Sequence, residues 1–374
     1  MKHLLVTNDY PPKIGGIQNY LWELWRRLPP ESTAVYCTPY DGDVAFDSVQ
    51  QYWIERSPEP VLIPYPWLPR RIDALADRLD VDLVLLDPAV PLGVVGPFLR
   101  HPYGVILHGA EVTIPGRLPG TKHLLGSVLR GASVTVSAGE YALAEAERCA
   151  GQSLKSIVIP PGVDTERFRP FDSSERSAAR TDFGLREDDI VISTVNRLVP
   201  RKGMDVLIRA AAVLAPDFPD LRVCIGGTGR QRQELEDLVG ELGAPVRLLG
   251  RIPDDDVAKL YGASDMMAML CHERWGGLEQ EGFGIVFLEA AASGIPQVAG
   301  RSGGAHEAVV HNVTGLIVDE PRSVDAVAQA LSTLVKSPEQ RARLGAAARS
   351  RAVSHFEYDL LAAHLDRELQ ALVL

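Results

Sequence analysis

The chain has 374 residues, 46% of them hydrophobic and 23% charged, with 33 Gly and 27 Pro, an ordinary globular composition long enough for two domains of roughly 150 to 200 residues. Lys and Arg total 38 against 49 Asp and Glu, for a net charge of −11, which argues against broad nucleic-acid binding. No run of ~18 apolar residues is present, so a membrane-spanning helix is excluded.

The N-terminus, Met1-Lys2-His3 followed by Leu4-Leu5-Val6, is too short for a signal peptide, so the chain is expected to stay in the cytoplasm. Cys37, Cys149, Cys224 and Cys271 form no CxxC pair and no zinc-type spacing with histidine; they are expected to be reduced thiols in or near the core. Short branched apolar runs predict strands at 3–7, 33–37, 61–63, 82–86, 104–107, 133–136 and 156–159. A second series falls at 190–195, 221–226, 246–249, 265–269, 295–299 and 315–318. Continuous Val/Ile/Leu runs separated by segments of helical length describe parallel strands covered on both faces, so the fold class is α/β, twice over. Pro160-Pro161-Gly162 and the polar stretch 172–189 predict a hinge at 162–186, between domains 1–165 and 166–355. The segment 356–374 reads as an amphipathic helix with Leu360, Leu361, His364, Leu365, Glu368, Leu369 and Leu372 near helical spacing; it could cap either domain.

Several loops follow predicted strands and precede predicted helices. Asn8-Asp9-Tyr10-Pro11-Pro12-Lys13-Ile14-Gly15-Gly16 ends in two glycines at a helix start, where free N–H groups suit an anion; a tight turn alone explains it equally. His108-Gly109 ends the strand 104–107, at the edge where open α/β sheets bind ligands, although a lone histidine there is often structural. Gly226-Gly227-Thr228-Gly229 reads as a second phosphate-type turn. Arg197 and Lys202, in Asn196-Arg197-Leu198-Val199-Pro200-Arg201-Lys202-Gly203, place a guanidinium and an ammonium where a diphosphate could sit. Glu281-Gly282-Phe283-Gly284 leads into a helix carrying Glu289 on an otherwise apolar face. A carboxylate in such a setting needs donors, and sugar or ribose hydroxyls can supply them. Asp41-Gly42-Asp43 has a D-x-D spacing but no nearby ligand, so it is taken as a solvated loop and no metal site is expected.

The E-x7-E pair Glu281…Glu289 with FG inside, the R-x4-K pair Arg197…Lys202, the Gly15-Gly16 loop and His108-Gly109, in this order, resemble the family-4 retaining glycosyltransferases of the GT-B fold. The resemblance covers nearly the whole chain and implies two Rossmann-like domains with parallel sheets facing across a cleft. The first loop and the segment Glu273-Arg274-Trp275-Gly276-Gly277-Leu278-Glu279-Gln280 are most similar to the GDP-mannose-dependent transferases that add mannose to phosphatidylinositol monomannoside.

By that resemblance Arg197 and Lys202 would grip the nucleotide diphosphate and Glu289 the ribose. Glu281 with the backbone of Phe283, Gly284 and Ile285 would hold the sugar, Gly16 would meet the diphosphate, His108 would lie near the reacting carbon, and Ile252 would meet the base through its backbone. The donor would be GDP-mannose, with no cofactor or metal, and the acceptor a glycolipid touched by Gln18 and Lys122. A UDP-sugar donor with a soluble acceptor, and a nucleotide-sugar epimerase, remain alternatives. Thr228-Gly229-Arg230 departs from the family pattern, which puts that loop's role in doubt. The segment 58–71, with Tyr65, Trp67, Arg70 and Arg71, suits an anionic membrane surface, giving an expected peripheral location on the inner face of the cell membrane; a proline-rich loop packing Trp67 on its own domain fits the same residues.

Overall fold

A computed structural model describes residues 1–372. The chain divides into two compact units, one of residues 1–162 together with the described residues from Tyr358 onward, the other of residues 163–357.

The first unit is built on seven strands: His3–Thr7 (β1), Thr33–Cys37 (β2), Trp53–Arg56 (β3), Leu83–Asp87 (β4), Tyr103–Leu107 (β5), Val134–Ser137 (β6) and Ser156–Val158 (β7). They pair in parallel in the order β3-β2-β1-β4-β5-β6-β7. Leu4 and Val6 enter one apolar cluster and Leu5 the other, which is why β1 reads as an unbroken apolar run. Strand order reverses at β1 and β4, whose register sets Thr7 opposite Asp87 at their carboxyl ends. Ligands of doubly wound sheets bind at such ends.

The second unit has six strands: Ile190–Val195 (β8), Leu221–Gly226 (β9), Val246–Gly250 (β10), Met266–Met269 (β11), Gln297–Gly300 (β12) and Gly315–Val318 (β13). Their order is β10-β9-β8-β11-β12-β13, all parallel, with the reversal between β8 and β11.

Most expected strands are present with ends moved by one or two residues, and one is corrected. Residues 61–63 form no strand; β3 lies at 53–56 instead. Pro58, Pro60, Pro64 and Pro66 deny that region ladder donors, and only Leu62 is buried, its N–H and C=O both taken by the Asn8 side chain at 2.7 and 2.8 Å.

The expected hinge at 162–186 is also corrected, since residues 163–186 belong to the second unit. Asp172 and Glu175 form a capping box that starts a helix at Ser173–Asp182. Arg176 and Arg180 then bind the two carboxylate oxygens of Asp265, each at 2.9 Å. Ion pairs rather than an apolar stripe anchor this helix, so periodicity did not announce it.

The final helix, Tyr358–Gln370, packs in the first unit. Tyr358, Leu361, Leu365 and Leu369 join the cluster of Tyr20, Leu21, Leu24 and Trp25, whereas Leu360 stays exposed. Of the helix expected over 356–374, residues 373 and 374 lie outside the described residues.

Candidate active site

In the second unit the loops after β8 and β11 meet at the strand-order reversal. Gly203 makes the approach possible: it has φ +67°, and a Cβ there would lie 2.3 Å from the Leu270 carbonyl oxygen. The turn Pro200–Lys202 is thereby pressed onto the β11 loop, and His272 N–H donates to the Arg201 carbonyl at 3.0 Å. Lys202 Nζ and Arg201 Nη1 both donate to Glu281 Oε2 at 2.7 Å, and the Cys271 thiol reaches the same oxygen at 3.4 Å. Oε1 has no protein donor among the described residues. Burial works to raise the Glu281 pKa, but Lys202 and then Arg201 outweigh it and hold the carboxyl down at about 2. The loop is braced from behind: Gly304 N–H donates to the Glu281 carbonyl at 3.0 Å and the Ser302 hydroxyl accepts from Glu281 N–H at 3.2 Å. A Cβ on Gly303 would strike that carbonyl at 2.1 Å.

Gly284, at φ +91°, caps the helix Ile285–Ala292. The backbone N–H groups of Phe283, Gly284 and Ile285 find no protein acceptor among the described residues, as expected at a helix start with a side-chain-free cap. Phe283 itself is buried, edge-on to Phe356 at 5.8 Å.

Glu289, one turn into this helix, is half-buried, and no described residue donates to its carboxyl group. Burial pushes that carboxyl up to about 7, against the pull of Arg167 and with Asp254 adding to the rise. The Tyr261 hydroxyl is buried without a partner.

Arg197 is exposed and its guanidinium is unpaired among the described residues, so of the R-x4-K pair only Lys202 is brought to Glu281. Ile252 packs its side chain on Gly226, where a Cβ would lie 2.4 Å from Ile252 Cδ1.

The glycines of Gly226–Gly229, read as a phosphate turn, have a structural requirement of their own. Cβ atoms on Gly227 and Gly229 would fall 1.8 and 2.3 Å from the carbonyl oxygens of Asn196 and Leu198. The protein's own backbone, packed across this loop, is what demands glycine there.

In the first unit, His108 follows β5 and its Nε2 lies 2.6 Å from Asp87 Oδ1. The Thr7 hydroxyl donates to Asp87 Oδ2 at 2.6 Å and accepts from Asp9 N–H at 2.8 Å. Glu111 Oε1 accepts from His108 N–H and Gly109 N–H at 2.5 and 3.0 Å, fixing the turn. Tyr20 meets the His108 ring edge-on at 5.5 Å. Burial disfavours the imidazolium, but Asp87, then Glu111 and Asp9, prevail and raise the His108 pKa above its ordinary value.

Gly16 is exposed at the start of the helix Gly16–Trp25. Gln18 Nε2 donates to Asp9 Oδ1 at 2.5 Å, an atom also held by Lys13 at 3.0 Å. Lys122 is exposed on the helix Thr121–Gly131. Asp41 and Asp43 belong to no group of three metal-ligating side chains among the described residues.

Pattern reading passed over Arg201, Cys271, Ser302, Asp87 and Thr7. The first stood inside the R-x4-K motif, and the last two end apolar strands on the ligand-binding edge, which was a usable signal.

Residues 14–167 match the family described as Glycosyltransferase Family 4, and residues 175–351 match Glycosyl transferases group 1. In fold the chain is similar to Anabaena HepE in complex with UDP, with a TM-score of 0.84 at 22% identity over 100% of both chains. The chain belongs to the family-4 glycosyltransferases, enzymes of the GT-B fold. It is 34% identical to a Corynebacterium glutamicum protein, over 99% of this chain and 98% of that one, named GDP-mannose-dependent monoacylated alpha-(1-6)-phosphatidylinositol monomannoside mannosyltransferase. It is 36% identical, over 97% of this chain and 96% of the other, to the Mycobacterium tuberculosis GDP-mannose-dependent alpha-(1-6)-phosphatidylinositol monomannoside mannosyltransferase.

Proposed function

We propose that this enzyme moves mannose from GDP-mannose to a phosphatidylinositol mannoside with retention of configuration. The donor is that of its full-length relatives, by their names. The observation that carries the reading is the pair of acceptors left open eight residues apart: Glu281 Oε1, beside two cations, and the whole carboxyl group of Glu289. Acceptors partly withdrawn from water and without a protein donor favour a ligand that brings donors, and one rich in hydroxyl groups does so.

In this reading Lys202 and Arg197 neutralise the diphosphate, Glu289 takes the ribose hydroxyls and Ile252 meets the base through its backbone. Glu281, with the N–H groups of Phe283, Gly284 and Ile285, holds the mannose. Gly16 and His108 serve the diphosphate and the sugar from the first unit, and Gln18 and Lys122 serve the acceptor. The bond from the anomeric carbon to phosphate oxygen breaks as the acceptor oxygen adds on the same face, and the acceptor proton passes to the departing phosphate. Cationic side chains take the charge that a metal carries elsewhere, so transfer should proceed unchanged in EDTA; complete loss restored by Mn²⁺ would refute metal independence. The location proposed is the inner face of the cell membrane, attached through Tyr65, Trp67 and Arg70.

The test is a thermal-shift panel of GDP, UDP and ADP sugars, because a ligand stabilises the native state in proportion to the logarithm of its saturation. GDP-mannose should give the largest shift. A larger shift with UDP-glucose, or acceptor-free interconversion of sugars, would overturn the reading.

A further inference from the structure

Behind His108 the first unit carries a buried polar pair, Asp87 and Thr7, that the transfer reaction as described does not use. Asp87 is fully buried at the end of β4, and among the described residues no Lys or Arg pairs with it. Its two oxygens are divided: Oδ2 accepts from Thr7 and Oδ1 lies at 2.6 Å from His108 Nε2. An ionised carboxylate only accepts, so Nε2 carries the proton and the opposite ring nitrogen, Nδ1, is left over. Nδ1 makes no hydrogen bond to any described residue.

We infer that Asp87 is a positioning residue, which fixes the His108 ring so that Nδ1 is the atom presented to the substrate. Thr7 holds Asp87 in turn, and through the Asp9 N–H it joins His108 to the loop whose Asp9 side chain accepts from Gln18. Two residues 90 positions apart in sequence are thus parts of one hydrogen-bonded array. The ring is further confined by Tyr20, whose hydroxyl is tied to the Ile159 carbonyl at 2.8 Å. An orienting acceptor behind a histidine sets which nitrogen is free and favours the charged ring. The ionisable groups around this ring are Asp87 of β4, Glu111 of the following helix, Asp9 of the β1 loop, and Tyr20.

The inference rests on the proposed role of His108 at the sugar, and the test separates the two. In the intact wild-type protein with ¹⁵N-labelled histidine, NMR should show His108 protonated at Nε2 with a titration midpoint above the ordinary 6.5. In Asp87→Asn the midpoint should fall below the wild-type value, because burial is then opposed only by Glu111 and Asp9. Turnover should drop roughly 10- to 100-fold, the scale on which the orienting partners of metal-bound histidines act, with the donor KM nearly unchanged and the pH–rate profile displaced. A folded Asp87→Asn protein with the wild-type His108 titration overturns the inference. Where that variant does not fold, the wild-type spectrum decides, since a midpoint at or below 6.5, or a proton on Nδ1 alone, overturns it equally. Full turnover in His108→Ala would sink the role of His108 at the sugar, while the Asp87–His108 coupling would still be read from the spectra.

Discussion

Glu281 and Glu289 are the same residue on one loop and helix, yet their surroundings drive them in opposite directions. Glu281 lies against Lys202 and Arg201 and is held at a pKa of about 2; Glu289, with no protein donor, is pushed up to about 7. Burial raises the pKa of both, so burial alone does not separate them. Cations supplied by another loop do. Carboxyl groups whose environments pull their pKa values apart have different tasks: Glu281 is a preset anion inside a charged cluster, and under the proposed function Glu289 is the acceptor that a hydroxyl-bearing ligand would satisfy.

The largest effect should come from breaking the charged side of this comparison. Lys202→Ala should cut transfer by a factor on the order of 100 or more, the scale on which a preorganised electrostatic contact acts. It should also lower unfolding free energy by a few kcal/mol, since Glu281 would keep only Arg201 and the Cys271 thiol. Transfer assays and denaturant melts on one preparation check both. Normal turnover in the variant removes Lys202 from the mechanism.

A smaller effect sharpens the glutamate contrast. Glu289→Gln should weaken GDP binding about 10-fold by calorimetry, the value of a hydrogen bond to a charged group, whereas Glu281→Gln should lower turnover more than affinity. Equal loss of GDP affinity in both variants contradicts the division of labour. The pH dependences should differ in sign. Above pH ~4.5 the unfolded chain has released the Glu289 proton while the folded chain keeps it, so Glu289 makes the free protein less stable as pH rises from about 4.5 to about 7. Its replacement by Gln should remove that slope. Glu281 contributes stability that is present above about 4.5 and lost as pH falls toward about 2. Unfolding curves across both ranges read these slopes, and an unchanged slope in Glu289→Gln contradicts the assignment.

How much of this was legible in sequence depended on whether a signal was local. Buried parallel strands announce themselves as Val/Ile/Leu runs, so all were found except β3, whose Trp53-Ile54-Glu55-Arg56 mixes polar residues because it sits at the sheet edge. The prolines around Leu62 imitated strand punctuation. Glu281, Glu289 and Lys202 were visible through motif spacing, but their partners were not. The contacts of Lys202 and Arg201 with Glu281 span 79 and 80 residues, and that of Thr7 with Asp87 spans 80. Strand order creates such contacts, and spacing along the chain carries no trace of them. The glycines of 226–229 carry an ambiguous signal, because close approach of the protein's own backbone and of a phosphate ask for the same residue.

The same lesson recurs in the first unit with two adjacent arginines, and it yields the smallest expected effect. Arg70 and Arg71 were read as an equivalent pair facing anionic lipid. Arg71 Nη1 in fact donates to Glu59 Oε2 at 2.6 Å and reaches the Tyr36 hydroxyl at 3.3 Å, so its charge is already balanced. Arg70 is exposed and unpaired among the described residues, beside Tyr65 and Trp67, which stack with centroids 4.7 Å apart, and on the rim of an apolar groove of about 440 Å³. Trp67 is 49% exposed rather than packed away, as an aromatic meant for the headgroup region would be. One free cation is worth about 1 kcal/mol at an anionic surface, roughly a fivefold change in partitioning. Sedimentation with vesicles of phosphatidylcholine and phosphatidylglycerol should therefore fall about fivefold in Arg70→Gln and weaken further with salt. Replacing the Arg71–Glu59 pair by Arg71→Gln with Glu59→Gln should change it far less, because that pair is already neutral in the wild type. Equal losses from the two variants would return the pair to equivalence, and no loss from either would remove the segment from the membrane surface.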